Sequence, residues 1–92
     1  MKSKKTTVKW PLGSVVEVFW EDANSYNKWH DLKELSRDHH VASCKTIGYL
    51  LKSDKREILL VSTQTPENDA DGTGTMAIPR GCVTHIKVIR KA

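Results

Sequence analysis

Apolar residues alternate from one side of the chain to the other in several short runs, and this period of two is typical of β-strands. In residues 14–20, Val16, Val18 and Trp20 share one face, so we expect a mostly buried first strand. The spacing changes to three in residues 25–36, which predicts a short amphipathic helix after that strand. The apolar side of this helix consists of Tyr26, Trp29, Leu32 and Leu35.

The aromatic residues divide into interior and surface candidates. We expect Trp20 and Trp29 to form the interior contact between sheet and helix. Trp10 and Tyr26 lie nearer the segment ends and are candidates for stacking on a base, although core packing is the simpler interpretation of each.

After the helix, the chain returns to β-forming residues. The run from Val41 through Gly48 to a polar tip at residues 52–56, resuming at residues 58–61, predicts a long bent hairpin. Gly48 is expected to mark a bulge or a sharp bend in mid-strand. Residues 64–75 are rich in turn formers and predict an exposed loop.

A second hairpin is predicted at the end of the chain. Its strands are residues 75–78 and 83–90, and residues 79–81 form a tight turn between them. Pro79 cannot donate a ladder hydrogen bond, so it belongs at a strand end or edge.

Length and composition limit the class of protein. A chain of 92 residues with 38% hydrophobic content is expected to form one domain over residues 11–92, preceded by a basic tail at residues 1–10. Its apolar runs are too short to span a bilayer and the basic start lacks an apolar signal segment, so we expect a cytoplasmic protein without membrane contact. Cys44 and Cys82 lack a CxxC spacing and are expected to be thiols in a reducing compartment.

The net charge of +4 is concentrated at the start of the chain. Four of the 15 basic residues precede Trp10, which leaves 11 basic residues against 11 acidic ones in the body. The tail is either a solvated segment or an arm that binds nucleic-acid phosphates. Its four lysines are Lys2, Lys4, Lys5 and Lys9.

No motif indicates catalysis. The chain contains no GxSxG, HExxH, Walker-type loop or dinucleotide fingerprint, which favours a protein that is not an enzyme and carries no cofactor. The histidines and cysteines lack the spacing of zinc ligands, so no metal site is predicted.

Two segments resemble the Sm-like superfamily of small SH3-like barrels. Residues 46–54 (TIGYLLKSD) followed by residues 58–61 (ILLV) resemble the first Sm signature, and residues 76–88 (MAIPRGCVTHIKV) are similar to the second. In this chain the helix follows the first strand instead of preceding it, and the tip lacks an asparagine. The whole string, with WEDA at residues 20–23 and IPRGC at residues 78–82, also resembles small uncharacterised proteins of tailed phages and prophages.

The resemblance implies a mostly β, five-stranded small barrel whose edge strands pair between subunits of a ring. It implies nucleotide or RNA binding at two hairpin tips, one with Lys52, Asp54 and Lys55 and the other with Arg80 and Gly81. An arginine offers a bidentate phosphate contact, and a neighbouring glycine lets a ligand approach the backbone. A plain turn is the competing interpretation of Arg80 and Gly81.

Three hypotheses of function remain open. The first is a homo-oligomer that captures a phosphate-bearing nucleotide at subunit interfaces, with Tyr26 as a further contact; in a phage it would sequester a host immune signal in the host cytoplasm. The second is an Sm-like RNA- or DNA-binding protein that uses the tail and the tips. The third is a protein-protein adaptor or an inhibitor of a host factor that uses the helix face or the loop at residues 64–75.

Overall fold

The computed structural model describes residues 11–66 and 71–92, and these residues form one antiparallel five-stranded sheet and one short helix. The strands lie side by side in the order β4-β3-β2-β1-β5. This confirms the mostly β class and the position of the helix after the first strand. In chain order, the elements are β1 (Val15–Asp22), α1 (Leu32–Asp38), β2 (Ala42–Ser53), β3 (Glu57–Gln64), β4 (Gly72–Pro79), a 3-10 turn (Arg80–Cys82) and β5 (Val83–Arg90).

The core lies on one face of this sheet. Val16 and Val18 of β1 are fully buried, as the alternation predicts, and Glu17 between them points to the opposite face. Trp20, Val83, Ile86 and Val88 pack against the core while remaining partly exposed. The indole Nε1 of Trp20 donates a 3.0 Å hydrogen bond to Thr46 Oγ1, which satisfies its polar atom. The buried residues of the core cluster are Val16, Val18, Leu50, Ile58, Leu60 and Ile78, and Val61 of β3 is buried outside this cluster.

The first hairpin is confirmed, with one change in the position of its irregularity. The ladder between β2 and β3 shifts register between Leu50 and Lys52, so the bulge lies beyond Gly48 and not at it. A Cβ on Gly48 would lie 3.1 Å from both Leu60 Cβ and Val61 O. Gly48 therefore permits close approach of β3, which is a different role from the one predicted.

The second hairpin prediction is wrong. β4 pairs with β3 and β5 pairs with β1, so these two strands are the opposite edges of the sheet. The 3-10 turn contacts both β1 and β3 and carries the chain from one edge to the other. β5 takes its place because Ile86 and Val88 cover Val18 and Val16 of β1. The predicted exposed loop is also shorter than expected, since β3 runs to Gln64 and β4 begins at Gly72.

The barrel itself is not closed in the part of the chain that the structure describes. No ladder joins β4 to β5 among residues 11–66 and 71–92, so the observed architecture is an open five-stranded sheet.

The helix is shorter and more exposed than predicted. It spans Leu32–Asp38 instead of residues 25–36, and none of its residues is buried. Trp29 is fully exposed, at 101%, so the predicted interior contact with Trp20 is wrong. The predicted burial of the apolar side failed because a seven-residue helix that packs little on the sheet has almost no surface to cover it. We call residues 23–41, which connect β1 to β2 and include this helix, the arm.

Two further features bear on the sequence predictions. Cys44 and Cys82 are both free thiols and partly buried. Within the described ranges, no helix has the length and apolar character needed to cross a membrane. The tail prediction for residues 1–10 lies outside the described residues.

Candidate functional site at the joined turns

The turn after β4 is fastened to the turn between β2 and β3. The backbone N–H of Arg80 donates a 2.8 Å hydrogen bond to Arg56 O, and its Nε donates to Asp54 O at 3.2 Å. Its Nη2 also donates to Ser53 Oγ at 2.7 Å. The two turns that the sequence nominated therefore form one surface, which we call the tip site: residues 52–57 with Arg80 and Gly81.

Asp54 organises the turn between β2 and β3. Its Oδ1 accepts hydrogen bonds from the backbone N–H groups of Arg56, at 2.8 Å, and Glu57, at 3.0 Å. Its own N–H donates to Glu57 O at 3.1 Å, which closes the turn. The N–H groups of Glu57 and Arg56 hold the pKa of the Asp54 carboxyl below its usual range. Asp54 is thus a turn former in this structure.

The cationic side chains of the tip site differ in their surroundings. Lys52 Nζ lies 2.6 Å from Glu57 Oε2, and this carboxylate raises the pKa of the Lys52 ammonium. Lys55 and Arg56 are exposed. Counting Lys52, Lys55, Arg56 and Arg80 against Asp54 and Glu57, the tip site has four cations and two carboxylates. Its excess positive charge suits an anionic ligand.

Gly81 leaves the backbone of the tip site open. A Cβ built at Gly81 would meet nothing within 4 Å, and its φ is not in the left-handed region. The fold therefore does not require glycine at this position. The open space is compatible with the predicted approach of a ligand to the backbone.

Replacing Asp54 is expected to destabilise the turn in a pH-dependent manner. At pH 7 we expect the urea midpoint to fall in the order wild type, Asp54→Asn, Asp54→Ala, because asparagine keeps an oxygen acceptor and alanine does not. Since folding lowers the pKa of Asp54, its charge stabilises the fold above the ordinary carboxyl pKa, and this contribution is lost as the pH falls through the folded pKa. The gap between wild type and Asp54→Asn should therefore close below about pH 4.

Asp31→Asn is the matched control for this measurement. Asp31 precedes α1 but makes no side-chain capping hydrogen bond. A pH-independent gap for Asp54→Asn, or an equal gap for Asp31→Asn, would contradict the assigned role of Asp54.

Tyr26 belongs to a different region of the molecule. It lies in the arm and lines a cavity whose walls all come from residues 24–40, so the structure does not bring it to the tip site. The tail lysines Lys2, Lys4, Lys5 and Lys9 lie outside the described residues. In the described ranges, no cluster of three or more histidine, cysteine, aspartate or glutamate side chains is arranged to hold a metal ion.

Some residues of these regions were not found from the sequence. Ser53, which accepts a hydrogen bond from Arg80, and Glu57, which pairs with Lys52, were not predicted as site residues. The only signal was their position in the chain, since Ser53 lies inside the predicted polar tip and Glu57 directly follows it. The histidines of the arm were not predicted as site residues, and their spacing predicted no metal site.

The fold and the tip site together define a small, mostly β protein with a basic surface at one end of an antiparallel sheet. Searches of protein-family models, curated proteins and solved structures find no match to this chain. The resemblance to Sm-like and phage proteins therefore stays a prediction.

Proposed function

We propose that this protein is a non-catalytic, Sm-like small-barrel protein that captures a phosphate-bearing nucleotide at the tip site of a homo-oligomer. The observation that carries the proposal is the attachment of Arg80 to Ser53 and Asp54, because it makes one cationic surface from two separate turns. In a phage, a protein of this kind would sequester a host nucleotide signal.

The position of the tip site relative to the sheet edge supports binding at a junction between copies. β4 is an edge strand, and its last residue, Pro79, pairs with Glu57 of the tip site. Residues 72–77 carry no charge and are exposed, so this edge lacks the charged side chains that usually prevent strand pairing. A copy that paired with β4 through its own edge strand would lie beside the tip site and would extend the open sheet toward a ring.

Exposed cations are better probes of this proposal than Arg80. Replacing Arg80 with alanine would remove the side-chain hydrogen bonds to Asp54 O and Ser53 Oγ as well as a charge, so lost binding would not distinguish ligand contact from altered shape. Lys55 and Arg56 can be reversed to glutamate with less effect on the fold, because both side chains are exposed.

We expect the double variant Lys55→Glu/Arg56→Glu to bind fluorescent ADP at least about tenfold more weakly than the wild type, measured by anisotropy. The matched control is Lys28→Glu/Lys33→Glu, which makes the same charge change in the arm and should retain binding. Equal weakening by both double variants would indicate a general charge effect, and unchanged binding by the tip variant would refute the tip site.

Native mass spectrometry of protein purified from cells tests the oligomer. An oligomer with a stoichiometric small nucleotide supports the proposal, whereas a monomer without ligand contradicts it. Heterogeneous RNA on the protein would favour the nucleic-acid alternative. In that case, the affinity for RNA should fall steeply with salt and with removal of residues 1–9.

The exposed arm favours one further alternative, a protein-protein adaptor or an inhibitor of a host factor. Trp29 and Leu32 are exposed at 101% and 78%, and tryptophan is enriched among residues that dominate protein interfaces. A stoichiometric protein partner that depends on Trp29, together with no nucleotide binding, would favour this function over the first.

A further inference from the structure

The arm contains a cavity that is separate from the tip site. Its volume is about 330 Å³, which falls within the range of small-molecule sites. Two hydrogen bonds hold the two ends of the arm together beside it: Asn24 Nδ2 donates to His40 O at 3.0 Å, and His39 Nε2 lies 2.8 Å from Asn24 O. All residues that line the cavity therefore come from the arm.

Three aromatic rings form one wall of this cavity. The ring of Tyr26 meets His30 edge to face, with centroids 5.7 Å apart, and approaches His39 in the same manner at 6.3 Å. All three residues line the cavity, and Tyr26 is 49% exposed. Aromatic faces carry negative charge density and attract cations.

The polar groups of the cavity have the opposite charge preference from the tip site. Glu34 and Asp38 line it, and none of its nine lining residues is a lysine or arginine. Both oxygens of Asp38 accept hydrogen bonds from Arg37, at 2.9 and 3.1 Å, so Asp38 is already satisfied. Glu34 is held by His30 through Oε1 alone, at 2.8 Å, which leaves its second oxygen to accept a further donor.

We infer that this cavity binds the guanidinium or ammonium group of an organic cation. Glu34 accepts the hydrogen bonds of that group, and Tyr26 contributes a cation-π contact. An anion such as a nucleotide phosphate is disfavoured here because it would face the Glu34 carboxylate, and the neighbouring Arg37 guanidinium is already paired with Asp38. This site is independent of the proposed function, since no tip-site residue lines the cavity.

Two sources could supply such a group: a free amine or an arginine side chain of a polypeptide. Trp29 directly precedes His30 and is fully exposed, so a polypeptide could bury it beside the cavity. Affinity that depends on Trp29 therefore separates the two sources.

The experiment is a nuclear magnetic resonance titration of the full ¹⁵N-labelled chain with N-acetylarginine amide, with the uncharged N-acetylnorleucine amide as the reference probe. We expect saturable shifts of the amides in residues 24–40 with N-acetylarginine amide alone. Glu34→Gln should weaken this binding at least about fivefold. Tyr26→Phe should retain the binding, and Tyr26→Leu should lose it.

Glu21→Gln is the matched control, because Glu21 is an exposed carboxylate on β1 that does not line the cavity. The second probe is a peptide with arginine between two leucines. Tighter binding than that of the single-residue arginine probe, with the gain lost in Trp29→Ala, identifies a polypeptide source. Equal binding of the two probes identifies a free amine. Unchanged binding in Glu34→Gln, shifts outside the arm, or equal shifts with N-acetylnorleucine amide would overturn the inference.

Discussion

Ile78→Ala is expected to lower the free energy of unfolding by about 2–5 kcal/mol, the usual cost of truncating a fully buried isoleucine. Ile78 is the single buried residue of β4, and its partner in the ladder is Ile58, which is also fully buried. The truncated side chain would leave a cavity between β3 and β4 and would loosen the strand that leads into Arg80. Urea unfolding followed by tryptophan fluorescence measures the effect.

Ile47→Ala is the control for this prediction, because Ile47 is 53% exposed on β2. Ile47→Ala should lower the free energy of unfolding much less than Ile78→Ala does. Should Ile78→Ala fail to fold, the smaller truncation Ile78→Val can be measured instead. It should lower the free energy of unfolding by about 0.5–1.5 kcal/mol. Equal losses at positions 47 and 78 would show that β4 does not pack as described.

Gly74→Ala is expected to lower the free energy of unfolding by about 1–3 kcal/mol, from two separate causes. The φ of Gly74 is +74°, a left-handed value that residues with a Cβ adopt at a cost. A Cβ there would also overlap Ser62 Oγ on the neighbouring strand. The urea midpoint should fall accordingly.

A second background separates these two causes. In Ser62→Ala the overlapping hydroxyl is absent, so Gly74→Ala should cost less there, while the backbone contribution remains. Gly81→Ala is the control for replacing a glycine as such, because a Cβ at Gly81 meets nothing and should leave stability unchanged. An equal loss for Gly74→Ala in both backgrounds would exclude the contact with Ser62.

The elements predicted best were those defined by neighbouring residues in the chain. The β2–β3 hairpin was found because a polar tip separates two apolar runs, and both pairing partners lie close in sequence. The same reasoning failed for β4 and β5. Their alternation of apolar and polar residues fits two strands of one hairpin as well as it fits two opposite edge strands. Only the pairing of β5 with β1 distinguishes these arrangements.

The candidate site likewise combines features that neighbouring residues predict with contacts between residues far apart in the chain. The resemblance to Sm-like proteins nominated Lys52, Asp54 and Arg80, and local turn-forming residues predicted the two turns in which they lie. The hydrogen bond from Arg80 to Ser53 spans 27 positions, so no local pattern contained it. The exposed arm was missed for a related reason: a spacing of three predicts an apolar face but does not supply the surface that would cover it.

By itself, the sequence determined the strand-forming runs, the helix after the first strand, the buried face of β1 and the polar character of the turns, because these depend on alternation and turn chemistry between near neighbours. The tertiary structure decided which strands form the edges, where the bulge lies, that Trp29 is exposed and that two distant turns share one surface. These features depend on pairing and burial between residues far apart in the chain, where several arrangements satisfy the same local pattern.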